Sequence, residues 1–123
     1  MRKRIAAASV VLAVAAGCFT APAAFASTCS ENYGFELYYN SNEGGSSACF
    51  YVKQNFAGEV FTEAGAGKGQ PVKNNAASAD NWGGHTARVF YNSNYVGLYD
   101  DVQGDSWRNL ADTYNNNASW ERL

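Results

Sequence analysis

The sequence predicts an all-β domain, and three observations carry that expectation. From Ser27 onward the chain holds eight Tyr, five Phe and three Trp, side chains that favour half-buried strands. The same stretch has 11 Gly and 13 Asn but a single Pro, Pro71, and Gly and Asn supply the positive φ values of tight turns. No segment sustains a 3.6-residue apolar period; short aromatic runs alternate with turn clusters instead.

Taken in order, Phe35–Tyr39 is the first expected strand, ended by Asn40-Ser-Asn-Glu-Gly-Gly-Ser-Ser47. Ala48–Val52 and Glu59–Thr62 follow, the latter closed by Ala64-Gly-Ala-Gly-Lys-Gly69. After Asp80-Asn-Trp-Gly-Gly84 come Ala87–Tyr91 and Val96–Tyr99. One helical turn is expected at Asp105–Asp112, with Asp105 as its cap and Trp107 and Leu110 on one face. Strands this short and this closely spaced suggest a sandwich or barrel.

The N-terminal stretch, Met1 to Ala26, reads as an export leader. Met1-Arg-Lys-Arg4 is basic, Ile5 to Gly17 is apolar, and Ala24-Phe-Ala26 is a small-residue cleavage pattern before Ser27. The apolar run is shorter than the roughly 20 residues that span a bilayer. Ala15-Ala-Gly-Cys18 resembles a lipoprotein box and offers Cys18 as a second route; it ranks lower because its first position is usually Leu. Domain 27–123 is therefore expected to be secreted, and a monomer. It keeps all 11 acidic residues, while three of the nine basic ones leave with the leader, so its net charge is −5. That argues against nucleic acid or an anionic membrane surface as partner. Cys29 and Cys49 remain as an even pair in an exported chain and read as one disulfide. Such a link contributes about 3 kcal/mol by restricting the unfolded chain.

Internal repeats say more. Tyr38-Tyr-Asn-Ser-Asn42 recurs as Phe90-Tyr-Asn-Ser-Asn94. A longer frame, aromatic-x4-aromatic-x-Gly, fits both Tyr51–Gly58 and Phe90–Gly97. Asn74-Asn-Ala-Ala-Ser78 follows the first copy and Asn115-Asn-Asn-Ala-Ser119 the second, in the same order and at nearly equal offsets. Such a frame describes a bent hairpin with stacked aromatics and a Gly at the bend. A later Ser can bond back into it. Two such units, each with one apolar face, must pack together.

These motifs resemble the βγ-crystallin double Greek key, with both motifs in Phe50–Leu123 and an extra N-terminal hairpin before them. Asp105-Ser-Trp-Arg-Asn-Leu110 resembles the tryptophan corner of such domains. On that basis Phe56, Phe90, Tyr95, Trp107 and Leu110 are expected to be buried. Four segments extend the likeness: Leu37-Tyr-Tyr-Asn-Ser-Asn42, Gly65–Ala79, Ala87–Asn94 and Thr113–Ser119. Together they resemble the secreted actinobacterial family of the Streptomyces metalloproteinase inhibitor, peptidase inhibitor family thirty-six. Many members place a Cys just before the first Leu-Tyr, where this chain has Glu36. The family's disulfide framework is therefore rearranged here, and no inhibitory bond transfers by position.

The resemblance implies a proteinase-inhibitor-like binding module that blocks an extracellular (metallo)peptidase sterically. The loop Ala64–Lys73 is the first candidate, centred on Lys68, Gly69 and Gln70; Asn40–Ala48 is the second. Pro71 stiffens the first loop's exit, whereas Gly65, Gly67 and Gly69 are expected to loosen its start. The crystallin likeness also implies calcium ligands, with Asn75, Ser78, Asn116 and Ser119 as side-chain candidates. Both stretches lose their last Ser, to Ala79 and Trp120, and offer neutral amides where calcium gains from carboxylates. Only weak binding follows, and no other cofactor is implied. A weak calcium-binding structural module and a secreted toxin or antimicrobial remain as alternatives.

An enzyme is not expected. His85 is the single histidine and sits in Gly-Gly-His-Thr, more a turn than a base. Metal-binding spacings and a nucleophile elbow are absent from the sequence. Asp100 and Asp101 are adjacent, point to opposite faces of a strand, and read best as solvated turn acids. Tyr39 and Tyr91 are the tyrosines most available for a binding surface.

Overall fold

Period-two alternation builds the first strand. Phe35 and Leu37 are fully buried on one face of β1 (Phe35–Asn40). In the computed structural model, which describes residues 29–123, seven further strands follow. They are β2 (Gly44–Phe50), β3 (Gln54–Asn55), β4 (Ser78–Asn81), β5 (Ala87–Asn92), β6 (Val96–Val102), β7 (Ser106–Asn109) and β8 (Ser119–Arg122). The expected leader, Met1 to Ala26, lies outside the described residues.

All strand pairs are antiparallel. One sheet has the order β2-β1-β4-β7 and the other β3-β8-β5-β6. Each half of the chain thus gives three strands to its own sheet and lends its third strand, β3 or β7, to the other sheet. This is a double Greek key. The β1–β2 hairpin, expected at the N-terminus, takes its place inside the first sheet.

The core fills the space between the sheets. Phe35 stacks on Trp120 with ring centroids 4.6 Å apart, and Phe50 tilts against Phe56 at 5.0 Å. Leu37, Phe61, Val72, Val89, Val102 and Leu110 complete it. Phe56, Phe90 and Leu110 are buried as expected. Trp107 is not: it is 37% exposed. The expected helical turn is instead strand β7, paired with β4 through Asp80↔Trp107, so Trp107 stands on the outer face of an edge strand. Tyr95 is only half-buried, at a turn with φ 62°. The expected strand Glu59–Thr62 reduces to a single bridge, Val60↔Pro71.

Cys29 and Cys49 are bonded, with Cα atoms 5.8 Å apart. A Cβ on Gly34 would lie 2.6 Å from Cys49 Sγ and 2.8 Å from Cys29 Sγ. Only glycine fits beneath this link.

Two buried carboxylates have opposite electrostatics. Asp100 is no solvated turn acid; it is 4% exposed in β6. It accepts hydrogen bonds from Thr113 Oγ1 (2.6 Å), Thr113 N (2.8 Å) and Ala111 N (3.0 Å), and Arg108 Nη2 lies 3.3 Å away. Burial opposes its charge, but the Thr113 and backbone donors outweigh that and hold it below the usual carboxylate value. Its neighbour Asp101 does face the other way, and forms an ion pair with Arg88 at 2.7 Å. Glu36, 1% exposed, lies on the face of β1 opposite Phe35 and Leu37, directly across from Asp80. Ser47 Oγ donates to it at 2.7 Å and Trp82 Nε1 at 3.1 Å. Here burial dominates, with Glu63 adding to it, and the Ser47, Trp82 and Tyr38 bonds do not compensate; its pKa is raised.

Two outcomes follow from this packing. Trp120→Ala loses about 3–5 kcal/mol in denaturant titration. Trp120→Phe loses less, because it keeps the ring on Phe35 and deletes a buried indole N–H that finds no hydrogen-bond acceptor among the described residues. The second concerns pH. A carboxyl whose folded pKa is raised stabilises the fold below its unfolded pKa, and that contribution is lost as pH rises through the folded value. Glu36→Gln therefore raises the melting temperature near neutral pH and above, and its advantage disappears in acid; a flat difference between pH 4 and 8 would contradict this.

Candidate functional site

The connection from Asn55 of β3 to Ser78 of β4 is more than twice as long as the one from Asn109 of β7 to Ser119 of β8. The extra length forms the loop that carries Lys68, Gly69 and Gln70. Its two limbs are joined by Val72 N to Glu59 O (2.9 Å), Phe61 N to Gln70 O (3.0 Å) and Gly69 N to Phe61 O (2.8 Å). Phe61 and Val72 anchor it, both buried in the core. It is also stitched along the free edge of β2: Ser46 N donates to Ala66 O at 2.8 Å, and Thr62 N and Glu63 N donate to Ser47 O at 3.1 and 3.2 Å. Lys68, Gly69 and Gln70 are all exposed at its outer end.

The glycines do not loosen this loop. Gly65, Gly67 and Gly69 have φ of 129°, 90° and 88°, a region closed to most side chains. A Cβ on Gly67 would collide with the Tyr39 ring, and one on Gly65 would lie 3.0 Å from the backbone at Gly45 and Ser46. Each glycine at those two positions is a close-packing point, which holds the loop down. Tyr39 is therefore not a free surface tyrosine. It lies under the loop, edge-on to Phe61 at 5.6 Å, whereas Tyr91 is 40% exposed. Asn40–Ala48, the second candidate, is mostly the β1–β2 turn and strand β2.

The four amide and hydroxyl candidates do not form one site. Ser78 and Ser119 are fully buried. Ser78 Oγ donates to Asn40 O and accepts from Glu43 N; Ser119 Oγ donates to Asn92 O and accepts from Tyr95 N. The hydroxyls thus tie down the two hairpins, in matching geometry. In front of them lie two separate hollows. One, of about 300 Å³, is bordered by Asn40, Ser41, Asn75 and Asn115. Its counterpart, of about 270 Å³, is bordered by Asn92, Ser93, Asn116 and Asn74, with Lys73 beside them. Each offers neutral oxygens and no carboxylate, a poor set for tight calcium binding. Among the described residues there is no cluster of three or more His, Cys, Asp or Glu side chains able to hold a metal.

This equivalence corrects the repeat frame. Phe90–Gly97 matches the β1–β2 turn that starts at Tyr38, not the segment starting at Tyr51. Asn42 N bonds Asn109 Oδ1 and Asn94 N bonds Asn55 Oδ1, both at 2.7 Å. Asn55 and Asn109, which brace these hairpins from the exchanged strands, escaped the sequence reading. Their only signal was that each ends a short polar segment in its own half. His85 is exposed, and its carbonyl accepts from Asn81 Nδ2.

No helix among the described residues is long and apolar enough to cross a membrane. The fold is similar to solved βγ-crystallin structures. The N-terminal domain of Protein S aligns at 18% identity and TM-score 0.56, over 73% of this chain and 94% of that one. A βγ-crystallin domain from Clostridium beijerinckii aligns at 16% identity and TM-score 0.55, over 73% and 97%. IPSE/alpha-1 from Schistosoma mansoni eggs aligns at 17% identity and TM-score 0.51, over 74% and 84%. At such identities the likeness shows the fold alone. No curated protein matches the sequence. Residues 23–102, the larger part of the chain, match a family of inhibitors and not of enzymes: the chain belongs to peptidase inhibitor family I36.

Proposed function

We propose that the chain is an exported inhibitor of an extracellular peptidase, a metallopeptidase first among them. It acts by steric occupation of the cleft, with Lys68-Gly69-Gln70 as the inserted segment. The observation that carries this reading is a loop exposed at its outer end and fixed on both limbs by backbone bonds, core anchors and glycine close-packing. A segment already held in shape avoids the cost of about 0.5–1.5 kcal/mol for each long side chain ordered on binding. The Cys29–Cys49 link supports an exported setting.

Titration against thermolysin-like, subtilisin-like and trypsin-like peptidases tests the proposal. The intact protein inhibits at least one of them. Lys68→Ala combined with Gln70→Ala weakens that inhibition at least tenfold, about 1.4 kcal/mol, and leaves the melting temperature unchanged because both side chains are exposed. Absence of inhibition at a large molar excess overturns the reading.

Weak calcium binding is a second reading, favoured by the two matching hollows of side-chain amides. Asn75 and Asn116 would each serve a separate ion, and Ser78 and Ser119 would hold the hairpins in place. Calorimetry on the mature protein is expected to find dissociation constants no tighter than about 10⁻⁴ M, the range of weak extracellular modules. Tight binding with a large rise in melting temperature would promote the structural-module reading.

A further inference from the structure

The two amide hollows match residue for residue, with one exception. Tyr91, Asn92 and Ser93 border the second as Tyr39, Asn40 and Ser41 border the first. Asn116 and Ala118 answer to Asn75 and Ala77, and Asn74 answers to Asn115. The backbone agrees with this pairing. Asn74 and Asn115 sit at φ 67° and 54°, and Asn74 N donates to Asn117 O as Asn115 N donates to Ala76 O, both at 2.9 Å. The seventh position breaks the match: it is Tyr114 in the first hollow and Lys73 in the second.

A side-chain amide offers its oxygen to a cation or its NH2 group to an anion, so the shared residues set no preference of their own. The residue that differs does. Lys73 brings an ammonium group, a full positive charge with donors and no acceptor, and no carboxylate borders this hollow. Lys73 forms no ion pair among the described residues, so its charge is not spent inside the protein. A cation entering the hollow is repelled by that charge and an anion is drawn to it. Lys73 and Asn74 come from one half of the chain and Asn92 and Ser93 from the other, so donors reach the hollow from two separate segments. A carboxylate offers two oxygens in one plane. A phosphate or sulfate group spreads its oxygens tetrahedrally and can meet donors from both segments at once. The hollow's volume of about 270 Å³, against about 30 Å³ for one water, also leaves room for part of the molecule that carries the group.

We propose that the hollow beside Lys73 is a binding site for a phosphate or sulfate group, with Lys73 supplying the charge and Asn74, Asn92 and Ser93 the neutral donors. It makes no use of Lys68, Gly69 or Gln70 and does not depend on the inhibitor reading. In the second reading it leaves calcium only the hollow beside Asn75.

The test is backbone-amide NMR of the disulfide-intact mature protein in calcium-free buffer, titrated with sodium phosphate, sodium sulfate, glycerol phosphate and sodium acetate. Phosphate or sulfate at millimolar concentration shifts the amides of Asn74, Asn92 and Ser93 and leaves those of Asn40 and Ser41 in place. Tighter binding of glycerol phosphate than of phosphate assigns the site to an ester group; equal or weaker binding assigns it to the free ion. Lys73→Tyr, which copies the first hollow, weakens binding about tenfold or more, and Lys73→Arg retains it. Neither variant changes the melting temperature, because the side chain is only half-buried. The proposal is overturned if neither phosphate nor sulfate shifts these amides, if acetate shifts them as strongly, if both hollows respond alike as to an adventitious ion only, or if Lys73→Tyr binds as the parent does.

Discussion

Two buried serine hydroxyls hold the architecture together. Ser78 and Ser119 each bridge both limbs of a bent hairpin, donating to one backbone carbonyl at 2.7 Å and accepting from a backbone N–H at 3.0 Å. The bend puts residues at positive φ, Asn42 and Glu43 in one hairpin and Asn94 and Tyr95 in the other, and such conformations need local bonds to persist. Each serine starts the last strand of its unit, so the bond joins the first strand pair to the last. The exchanged strands then add Asn109 and Asn55 as outside braces. The amide hollows are a by-product of the same bend, which leaves Asn and Ser side chains around an open mouth.

The two halves are alike in their hairpins and unlike in how they treat their sheet edges. In the first half the long connection lies along β2 and takes up its backbone groups at Ser46 and Ser47. The second half has only a short stretch for the same connection, and β6 keeps Val96 and Leu98 more than half exposed. Covering an edge strand removes a template for unwanted pairing. The covering segment here is also the one that presents Lys68, so the loop's rigidity comes from its structural task.

The carboxylates divide the labour by their surroundings. Asp100 is surrounded by donors and organises the turn from β7 to β8. Glu36 has fewer donors than its burial demands, yet it orients the Trp82 indole. Glu36 thus ties the outer face of the first sheet to the segment that follows β4.

Local chemistry made the all-β class, the Cys29–Cys49 link and the Tyr38 and Phe90 repeats legible, because composition, an even cysteine pair and positive-φ turn residues need no partners to be recognised. The polar strands were not legible. Ser78-Ala-Asp-Asn81 and Ser119-Trp-Glu-Arg122 lack an apolar alternation, and Asp and Asn are depleted in strands. β4 is nonetheless buried throughout, because it runs in the middle of its sheet, paired along one edge with β1 and along the other with β7. The helical turn expected at Asp105–Asp112 failed for a related reason: an i, i+3 pair of apolar residues says nothing about an edge waiting on the other sheet. The glycines of the loop read as slack in one dimension and are contact points in three, since Gly67 meets a Tyr39 that lies far earlier in the chain. The sequence by itself determined the hairpins and the crosslink, which depend on neighbours along the chain. Only the tertiary structure decided the strand exchange and the rigid loop, which depend on surfaces that meet after folding.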